Sequence, residues 1–217
     1  MTSVTIHLVR HGEVDNPQGV LYERIPGFHL SDRGLRMAEA TAQFLANDEK
    51  TRKSCAVFSS PLERACETAE KIKEKLNKVR LSEGRPQLNI QTDERLIEAE
   101  NKFRGQKVSK RTLINPKNFG KFSNFWKPGW GEAYKQIADR MASFTFEKAD
   151  LYPGQQIIAV SHEAPIWTFR HLMEKGRAEH NILRRHTALA SVTSITFDSE
   201  THQVLDISYA DPAADVK

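Results

Sequence analysis

Short apolar runs alternate with segments of helical periodicity along most of this 217-residue chain, and this alternation constrains its fold more than any other feature. The apolar runs predict strands at residues 4–9, 55–58, 88–92 and 156–160. Apolar residues spaced three or four apart predict helices at residues 32–46, 61–76, 132–148 and 165–174, with a shorter one at residues 178–185. Ser31 is predicted to be the N-cap of the first of these helices.

The order of these elements predicts the fold class. Strands that alternate with helices are typical of βαβ units, which build parallel sheets covered by helices on both faces. We therefore expect an α/β fold, a three-layer sandwich with a mostly parallel central sheet. Residues 192–197 and 204–207 would complete that sheet as a hairpin or edge pair.

Residues 100–131 break the alternation. The stretch is rich in Lys, Arg, Asn, Gly and aromatic residues, has no clean period, and is too long for a simple connection. We expect an excursion over the C-terminal edge of the sheet, which would act as a lid or substrate-recognition segment. Four of its aromatic side chains either line a wall for a ligand or pin the loop to the core: Phe122, Phe125, Trp126 and Trp130. Since no linker or repeat interrupts the chain, we expect one domain over residues 1–217.

Composition and charge narrow the class of protein. Apolar residues make up 39% of the chain and charged residues 28%, as is ordinary for a globular domain. The net charge of +4 favours anionic ligands, but the basic residues are scattered, so we expect no nucleic-acid partner. No membrane-spanning run or signal segment is evident, and Cys55 and Cys66 match no metal motif. We expect a cytoplasmic protein, either a monomer or a homodimer, without a metal or cofactor.

The tetrapeptide Arg10-His11-Gly12-Glu13 directly follows the first predicted strand. Ligands of open α/β sheets bind just outside the C-terminal ends of the strands. An Arg fork that can hold two oxygens, a nucleophilic imidazole and a glycine that lets the backbone approach together suit a phosphate group. Alone, so short a motif recurs by chance, and a solvated strand end is the plainer interpretation.

Three further groups fall at equivalent places. Arg64 lies in the first turn of the helix after the second strand, Glu98 follows the third strand and His162 follows the fourth. Each could be an ordinary surface cation, loop carboxylate or strand-end histidine. Their joint arrival at one sheet edge instead indicates an active site.

The sequence resembles the histidine phosphatase superfamily, the phosphoglycerate-mutase-like proteins. The resemblance runs from the N-terminus to about Phe197. It rests on Leu8-Val9-Arg10-His11-Gly12-Glu13, Leu30-Ser31-Asp32-Arg33-Gly34, Ser59-Ser60-Pro61-Leu62-Glu63-Arg64, Leu96-Ile97-Glu98 and Val160-Ser161-His162. It implies a three-layer α/β fold and catalysis through a phosphohistidine.

The resemblance also implies a role for each catalytic candidate. His11 attacks phosphorus as a neutral imidazole, whose other nitrogen needs an acceptor such as a backbone carbonyl. Arg10 and Arg64 clamp the phosphoryl oxygens, and His162 donates a further hydrogen bond as an imidazolium. Glu98 protonates the leaving oxygen and then activates water. No metal is required, because the cations are built into the chain.

Three features depart from the family pattern or extend it. Asn16 is offset by one position from the Asn of many relatives, so its phosphate contact is an expectation only. Glu163 stands where relatives usually have Gly; its carboxylate would repel phosphate unless it paired with a cation, or it would select a positively charged substrate. Tyr22 and Arg24 lie in the loop after the first motif, where they can reach a small phosphorylated substrate.

The resemblance leaves more than one activity open. A phosphatase is favoured over a phosphoglycerate-type mutase, because residues 100–131 lack the Arg-rich signature with which mutases hold a second phosphate. A catalytically weak phosphate- or phosphoprotein-binding protein is the third alternative. The sequence does not identify the leaving group.

Overall fold

The protein was analysed in a computed structural model that describes residues 2–100, 104–107, 131–181 and 185–217. Six strands among these residues form one sheet: β1 (Ser3–Arg10), β2 (Ala56–Ser59), β3 (Ile90–Thr92), β4 (Gln156–Ser161), β5 (Val192–Asp198) and β6 (Val204–Ala210). Their order across the sheet is β3-β2-β4-β1-β5-β6. The pairs β1–β4, β4–β2 and β2–β3 are parallel, whereas β5 pairs antiparallel with β1 and β6. The mostly parallel sheet and its closing antiparallel pair are as predicted.

In the part of the chain that the structure describes, four α-helices connect these strands: α1 (Asp32–Asn47), α2 (Glu63–Ser82), α3 (Tyr134–Leu151) and α4 (Glu163–Lys175). Short 3-10 helices occupy Thr51–Lys53 and Glu94–Leu96. The predicted cap is confirmed, because the Ser31 hydroxyl accepts a hydrogen bond of 2.9 Å from the Gly34 amide. None of the helices within the described residues is long and apolar enough to cross a membrane.

The short helix expected at residues 178–185 is absent from the described part of that stretch, residues 178–181 and 185. Gly176 ends α4 in the left-handed conformation, with φ of 69°, and turns the chain away from the helix axis. The Ala178 carbonyl then accepts a hydrogen bond from the His180 ring instead of a helical amide. Local side-chain pairing therefore replaces the helix that the sequence pattern predicts.

Two apolar cores lie on opposite faces of the sheet and fix its layers. One packs the sheet against α1 and α2, through side chains such as Leu45 and Ile72. The other packs it against α3 and α4, through Phe144 and Phe169. Helices on both faces confirm the predicted three-layer sandwich, and they leave the C-terminal ends of the parallel strands open at one edge.

Two glycines hold the loop after β1 against α1. A Cβ on Gly12 would lie 2.5 Å from the Gly34 carbonyl oxygen, and a Cβ on Gly34 would lie 2.0 Å from that of Glu13. Neither contact is sterically possible. Gly12 of the Arg-His-Gly motif is therefore needed so that the start of α1 can pack against this loop, and not only so that a ligand can approach the backbone.

The expected excursion at residues 100–131 falls mainly outside the described residues, and so do the four aromatic side chains named for it above. Within residues 104–107, Gly105 donates its amide to the Leu21 carbonyl at 2.7 Å, and the Leu21 amide donates to Gln106 at 3.1 Å. This short piece therefore runs beside the loop that follows β1. Whether the excursion acts as a lid stays a prediction.

Candidate active site

A cavity of about 320 Å³ lies outside the C-terminal ends of β1 and β4. Its wall is built from the end of β1, the loop that follows it, and the starts of α3 and α4. The lining residues that carry charge are Arg10, Glu23, Glu98, Glu100, Glu132, Glu163 and Arg185, and they surround His11. Arg64 and His162 are buried completely beside His11. The structure therefore brings together the five catalytic candidates taken from the sequence.

His11 has the geometry of a nucleophile. Its Nδ1–H donates to the Gly12 carbonyl at 2.7 Å, so the lone pair of the neutral ring lies on Nε2. The ring is only 2% exposed. Burial, and then the charges of Arg64 and Arg10, hold the pKa of His11 well below its ordinary value. The ring is therefore neutral across the physiological range, as its expected role requires.

Arg64 approaches the same nitrogen. Its Nε lies 3.3 Å from Nε2 of His11, and its Nη2 donates to the Glu23 carbonyl. The Tyr22 ring covers the guanidinium, with 4.8 Å between Cζ and the ring centroid. Burial lowers the pKa of Arg64, although the group remains a cation at any physiological pH. A fixed positive charge therefore lies beside the atom where phosphorus would bind.

Arg10 is held by its two terminal nitrogens. Nη1 donates to the Thr187 carbonyl at 2.5 Å, and Nη2 lies 2.9 Å from Oε2 of Glu163. The other oxygen of Glu163 lies 3.9 Å from Nη1 of Arg185. Glu163 is therefore paired with cations, which is the condition under which the sequence allowed it near a phosphate. Its position between two arginines does not favour selection of a positively charged substrate.

His162 departs from one expectation. Its Nε2 lies 2.8 Å from the Ser60 hydroxyl, and its ring centroid lies 5.0 Å from that of His11. Burial, followed by the proximity of His11 and three arginines, holds the pKa of His162 well below its ordinary value. His162 is therefore a neutral imidazole in this structure and not the expected imidazolium. The sequence located the residue but could not show that it is fully buried among cations.

Three nitrogens around His11 lack a hydrogen-bond partner among the described residues. They are Nε of Arg10, Nη1 of Arg64 and Nδ1 of His162, and all three are buried. Leaving a buried polar group unpaired costs about 1–3 kcal/mol, and more when it is charged. An oxyanion bound against Nε2 of His11 would supply the missing acceptors. The donor set thus fits a phosphoryl group.

Glu98 faces the cavity from the segment that follows β3. Its Oε1 accepts the Ala99 amide at 2.8 Å. Burial raises the pKa of Glu98 above its ordinary value, although Arg64 and other nearby arginines oppose the shift. The Ser161 hydroxyl donates to the Leu96 carbonyl at 2.7 Å and ties this segment to the end of β4. The raised pKa favours the protonated form that a general acid needs, and the carboxylate left after donation can act as a base.

The expected substrate contacts have different outcomes. Tyr22 lines the cavity and covers Arg64, as its expected role requires. Arg24 does not line the cavity; its Nε donates to the Glu98 carbonyl at 2.6 Å and its Nη2 contacts Glu132 at 2.8 Å. Asn16 lies outside the lining too, because its amide group bonds the backbone of Val20 at both ends. Arg24 supports the active-site segment, and Asn16 shapes the loop.

The sequence interpretation missed several residues of the site, and two of them contact its catalytic candidates or their partners. Ser60 was part of a quoted motif but received no role, and it contacts His162. Arg185 lies in the wall beside Glu163 and was assigned to a helix that is absent from the described residues of that stretch. No periodicity or motif in the sequence points to Arg185, because its place depends on an irregular connection.

Comparison with known proteins is consistent with this geometry. The family model of the histidine phosphatase superfamily (branch 1) matches residues 6–209. "Uncharacterized protein Rv0525" of Mycobacterium tuberculosis is 40% identical over 211 residues, which cover 96% of each chain. The 2,3-bisphosphoglycerate-dependent phosphoglycerate mutase of Thermoplasma acidophilum is 31% identical over 179 residues, which cover 79% of this chain and 78% of the mutase.

A solved structure shares the fold. The mycobacterial glucosyl-3-phosphoglycerate phosphatase superposes with a TM-score of 0.73, covering 96% of this chain and 98% of that chain. The two sequences are only 20% identical, so this likeness concerns the architecture alone.

Proposed function

The chain belongs to the histidine phosphatase superfamily, and from that premise we propose that it is a metal-independent phosphomonoesterase that works through a phosphohistidine on His11. The observation that carries the proposal is the bond between Nδ1 of His11 and the Gly12 carbonyl. It places the lone pair of the neutral ring on Nε2, where it accepts a long hydrogen bond of 3.3 Å from Nε of Arg64 that a phosphoryl group would replace. A buried imidazole held in this tautomer is prepared to attack an electrophile.

The first step transfers the phosphoryl group to the enzyme. The Nε2 lone pair of His11 forms a bond to phosphorus, and the ester P–O bond breaks with its electron pair on the leaving oxygen. That oxygen takes the proton of Glu98, whose raised pKa keeps a protonated fraction available. The leaving group departs as a neutral alcohol, and Glu98 becomes a carboxylate.

The second step returns the enzyme to its starting state. The Glu98 carboxylate takes a proton from water as the water oxygen attacks phosphorus. The P–N bond breaks, its electron pair returns to Nε2 of His11, and phosphate is released. One water molecule is consumed, and Glu98 ends the cycle protonated as it began.

The unpaired donors stabilise charge during both steps. Nε of Arg10, Nη1 of Arg64 and Nδ1 of His162 are buried without a partner among the described residues, and we expect them to donate to the oxyanion. Preorganised donors of this kind each contribute about 2.7–4 kcal/mol to transition-state stabilisation. The developing negative charge is met by side-chain cations, so the proposed reaction needs no metal ion. We propose a small phosphorylated molecule as the substrate and the cytoplasm as the compartment.

The test is phosphate release from 4-nitrophenyl phosphate in EDTA. We expect turnover by the wild type and none by His11→Ala. His202→Asn is the matched histidine control. His202 lies in the turn between β5 and β6, at the end of the sheet opposite the cavity, where it contacts Asp150 of α3. A wild type without activity, or a His11→Ala variant with undiminished turnover, would overturn the proposal.

A phosphoglycerate-type mutase is the second candidate, favoured by the 31% identity to the Thermoplasma acidophilum mutase. A mutase would interconvert phosphoglycerates in the presence of 2,3-bisphosphoglycerate and release little phosphate. The two activities are separated by measuring isomerisation and phosphate release in the same reaction. Binding of phosphate with neither activity would indicate the third alternative, a weakly catalytic phosphate-binding protein.

A further inference from the structure

Arg185 lines the cavity but takes no part in the phosphoryl chemistry described above. Its Nε donates to Nε2 of His180 at 2.9 Å, and Nη1 lies 3.9 Å from Oε1 of Glu163. Only 16% of its side chain is exposed. It is also close enough to Glu98 to lower the pKa of that carboxyl group. The guanidinium is thus a fixed cation in the cavity wall, near the group that protonates the leaving oxygen.

A neutral side chain anchors this cation. Nδ1 of His180 donates to the Ala178 carbonyl at 2.9 Å, which leaves the Nε2 lone pair to accept from Arg185. The ring is 5% exposed and packs on Tyr134, with 4.6 Å between the ring centroids. Burial lowers the pKa of His180 to about 4, so the ring stays neutral at physiological pH. The anchor therefore orients Arg185 without cancelling its charge.

Nearby carboxylates do not neutralise Arg185 fully. Glu163 lies 2.9 Å from Arg10 but 3.9 Å from Arg185, so its charge is directed mainly at Arg10. Glu132, on the same wall, is paired with Arg24 and Arg140. Glu23 and Glu100 line the cavity as well. Around Glu163 two guanidinium groups share one carboxylate, so the more distant Arg185 can still take a second carboxylate as a partner.

We propose that Arg185 binds a carboxylate on the leaving group of the substrate, and that His180 is the positioning residue that holds Arg185 in place. The substrates would then be phosphate esters of hydroxy acids. A guanidinium presents paired N–H donors that match the two oxygens of a carboxylate. The inference rests on the proposed phosphatase function, because it places the leaving group in the cavity beside Glu98.

The experiment compares 3- and 4-carboxyphenyl phosphate with the corresponding carbamoylphenyl phosphates, which match them in size but lack the charge. We expect the wild type to prefer the carboxylate of at least one pair by about tenfold in kcat/KM. Arg185→Met should abolish the preference by raising KM for the carboxylates far more than for the carbamoyl compounds. Arg170→Met is the control, because Arg170 pairs with Glu174 along α4.

Two results would overturn the inference while the phosphatase proposal stands. One is a wild type that turns over both compounds without preference. The other is an Arg185→Met variant that loses turnover of both compounds equally, which would mean that Arg185 acts through Glu98 or Glu163. Calorimetric binding of the same compounds to His11→Ala, with and without Arg185→Met, decides the question even if no turnover occurs.

His180 has its own test. His180→Phe keeps a ring against Tyr134 but removes the acceptor for Arg185, and we expect it to weaken the carboxylate preference several-fold. His180→Gln offers a side-chain oxygen as an acceptor and should restore part of the preference. A merely structural role would lower the stability of both variants and leave the preference intact.

Discussion

Nε of Arg64 lies 3.3 Å from Nε2 of His11, and both side chains are almost completely buried. A buried guanidinium costs free energy because it has left water, and Arg64 has no carboxylate within hydrogen-bonding distance among the described residues. Its Nη1 has no partner at all in that part of the chain. The Nε contact therefore favours the neutral form of His11, and the Nη1 group of Arg64 remains available to donate to an anion.

Arg64→Met should lower the activity of the enzyme and raise its stability. The variant keeps an apolar chain of similar length, so we expect kcat/KM for 4-nitrophenyl phosphate to fall about 10²–10³-fold. We expect the free energy of unfolding to rise by about 1 kcal/mol, because an incompletely paired buried charge is gone. Parallel kinetics and urea denaturation measure the two effects. A variant that loses both activity and stability would show that Arg64 holds the fold together.

Arg80→Met is the matched control for that experiment. Arg80 is another buried arginine, but it donates to the Pro86 carbonyl at 2.6 Å and to the Ser54 carbonyl at 2.9 Å, away from the cavity. We expect its loss to lower the free energy of unfolding by about 1–3 kcal/mol and to leave kcat/KM unchanged.

Glu163→Gln should tighten the binding of inorganic phosphate. The amide can still accept from Arg10, but the site gains one net positive charge. We expect the inhibition constant of phosphate to fall about three- to tenfold. Glu174→Gln, at the other end of α4, provides the control. A weaker affinity for phosphate would mean instead that the charge of Glu163 is needed to orient Arg10.

The pH profile should depend on the leaving group. His11 is neutral well below pH 7, so its titration limits the rate only in acid. Glu98 must be protonated to donate, so the rate with an alkyl phosphate should fall as the pH rises through its raised pKa. A nitrophenolate leaves without needing a proton, so the rate of phosphoryl transfer from 4-nitrophenyl phosphate should fall much less at high pH. Stopped-flow measurements of the first step give this rate for both substrates. The same fall at high pH for both would contradict the role assigned to Glu98.

The sheet edge that carries the site was predictable because it depends only on strand direction. Arg10, Arg64, Glu98 and His162 follow successive strands, and parallel strands deliver the residues after them to one edge. The neutral tautomer of His11 was also predictable. A nucleophilic histidine needs a hydrogen-bond acceptor for its second ring nitrogen, and the Gly12 carbonyl is that acceptor.

The rest of the site depends on packing that a linear pattern does not encode. Arg24 and Arg185 are both cations of loops near the cavity, yet one supports the backbone of Glu98 and the other lines the wall. Which of the two faces a ligand follows from the path of irregular chain. The neutral state of His162 likewise follows from complete burial, which its position after a strand did not reveal.

Gly34→Ala should unfold the protein or displace α1. The new methyl group would meet the Glu13 carbonyl oxygen at 2.0 Å, a backbone contact that no side-chain rotation relieves. We expect a loss of at least about 3 kcal/mol of unfolding free energy, measured by urea denaturation. Gly84→Ala is a comparison at an open position, where only the left-handed φ of 66° opposes the change. Equal losses for both variants would show that the close approach is not what requires Gly34.

Stability should fall as the solution is acidified below about pH 6.5, because four buried histidines have lowered pKa values: His7, His11, His162 and His180. Below this pH the histidines of the unfolded chain bind protons, whereas those of the folded protein stay neutral until the pH is lower. Each histidine then contributes a slope of up to about 1.4 kcal/mol per pH unit. Glu98 acts in the opposite sense, because its raised pKa makes the folded state the better proton acceptor.

His7→Gln isolates one of these contributions outside the active site. His7 lies on β1 between Gln156 and Ser194, with hydrogen bonds of 2.8 and 2.7 Å. We expect urea denaturation between about pH 8 and pH 5 to give a shallower decline for the variant than for the wild type, by up to about 1.4 kcal/mol per pH unit. His29→Gln should change the slope in the other direction, because Glu67 raises the pKa of the exposed His29. Since the comparison uses slopes, any loss of packing at His7 shifts both ends of the range equally and leaves the proton linkage visible.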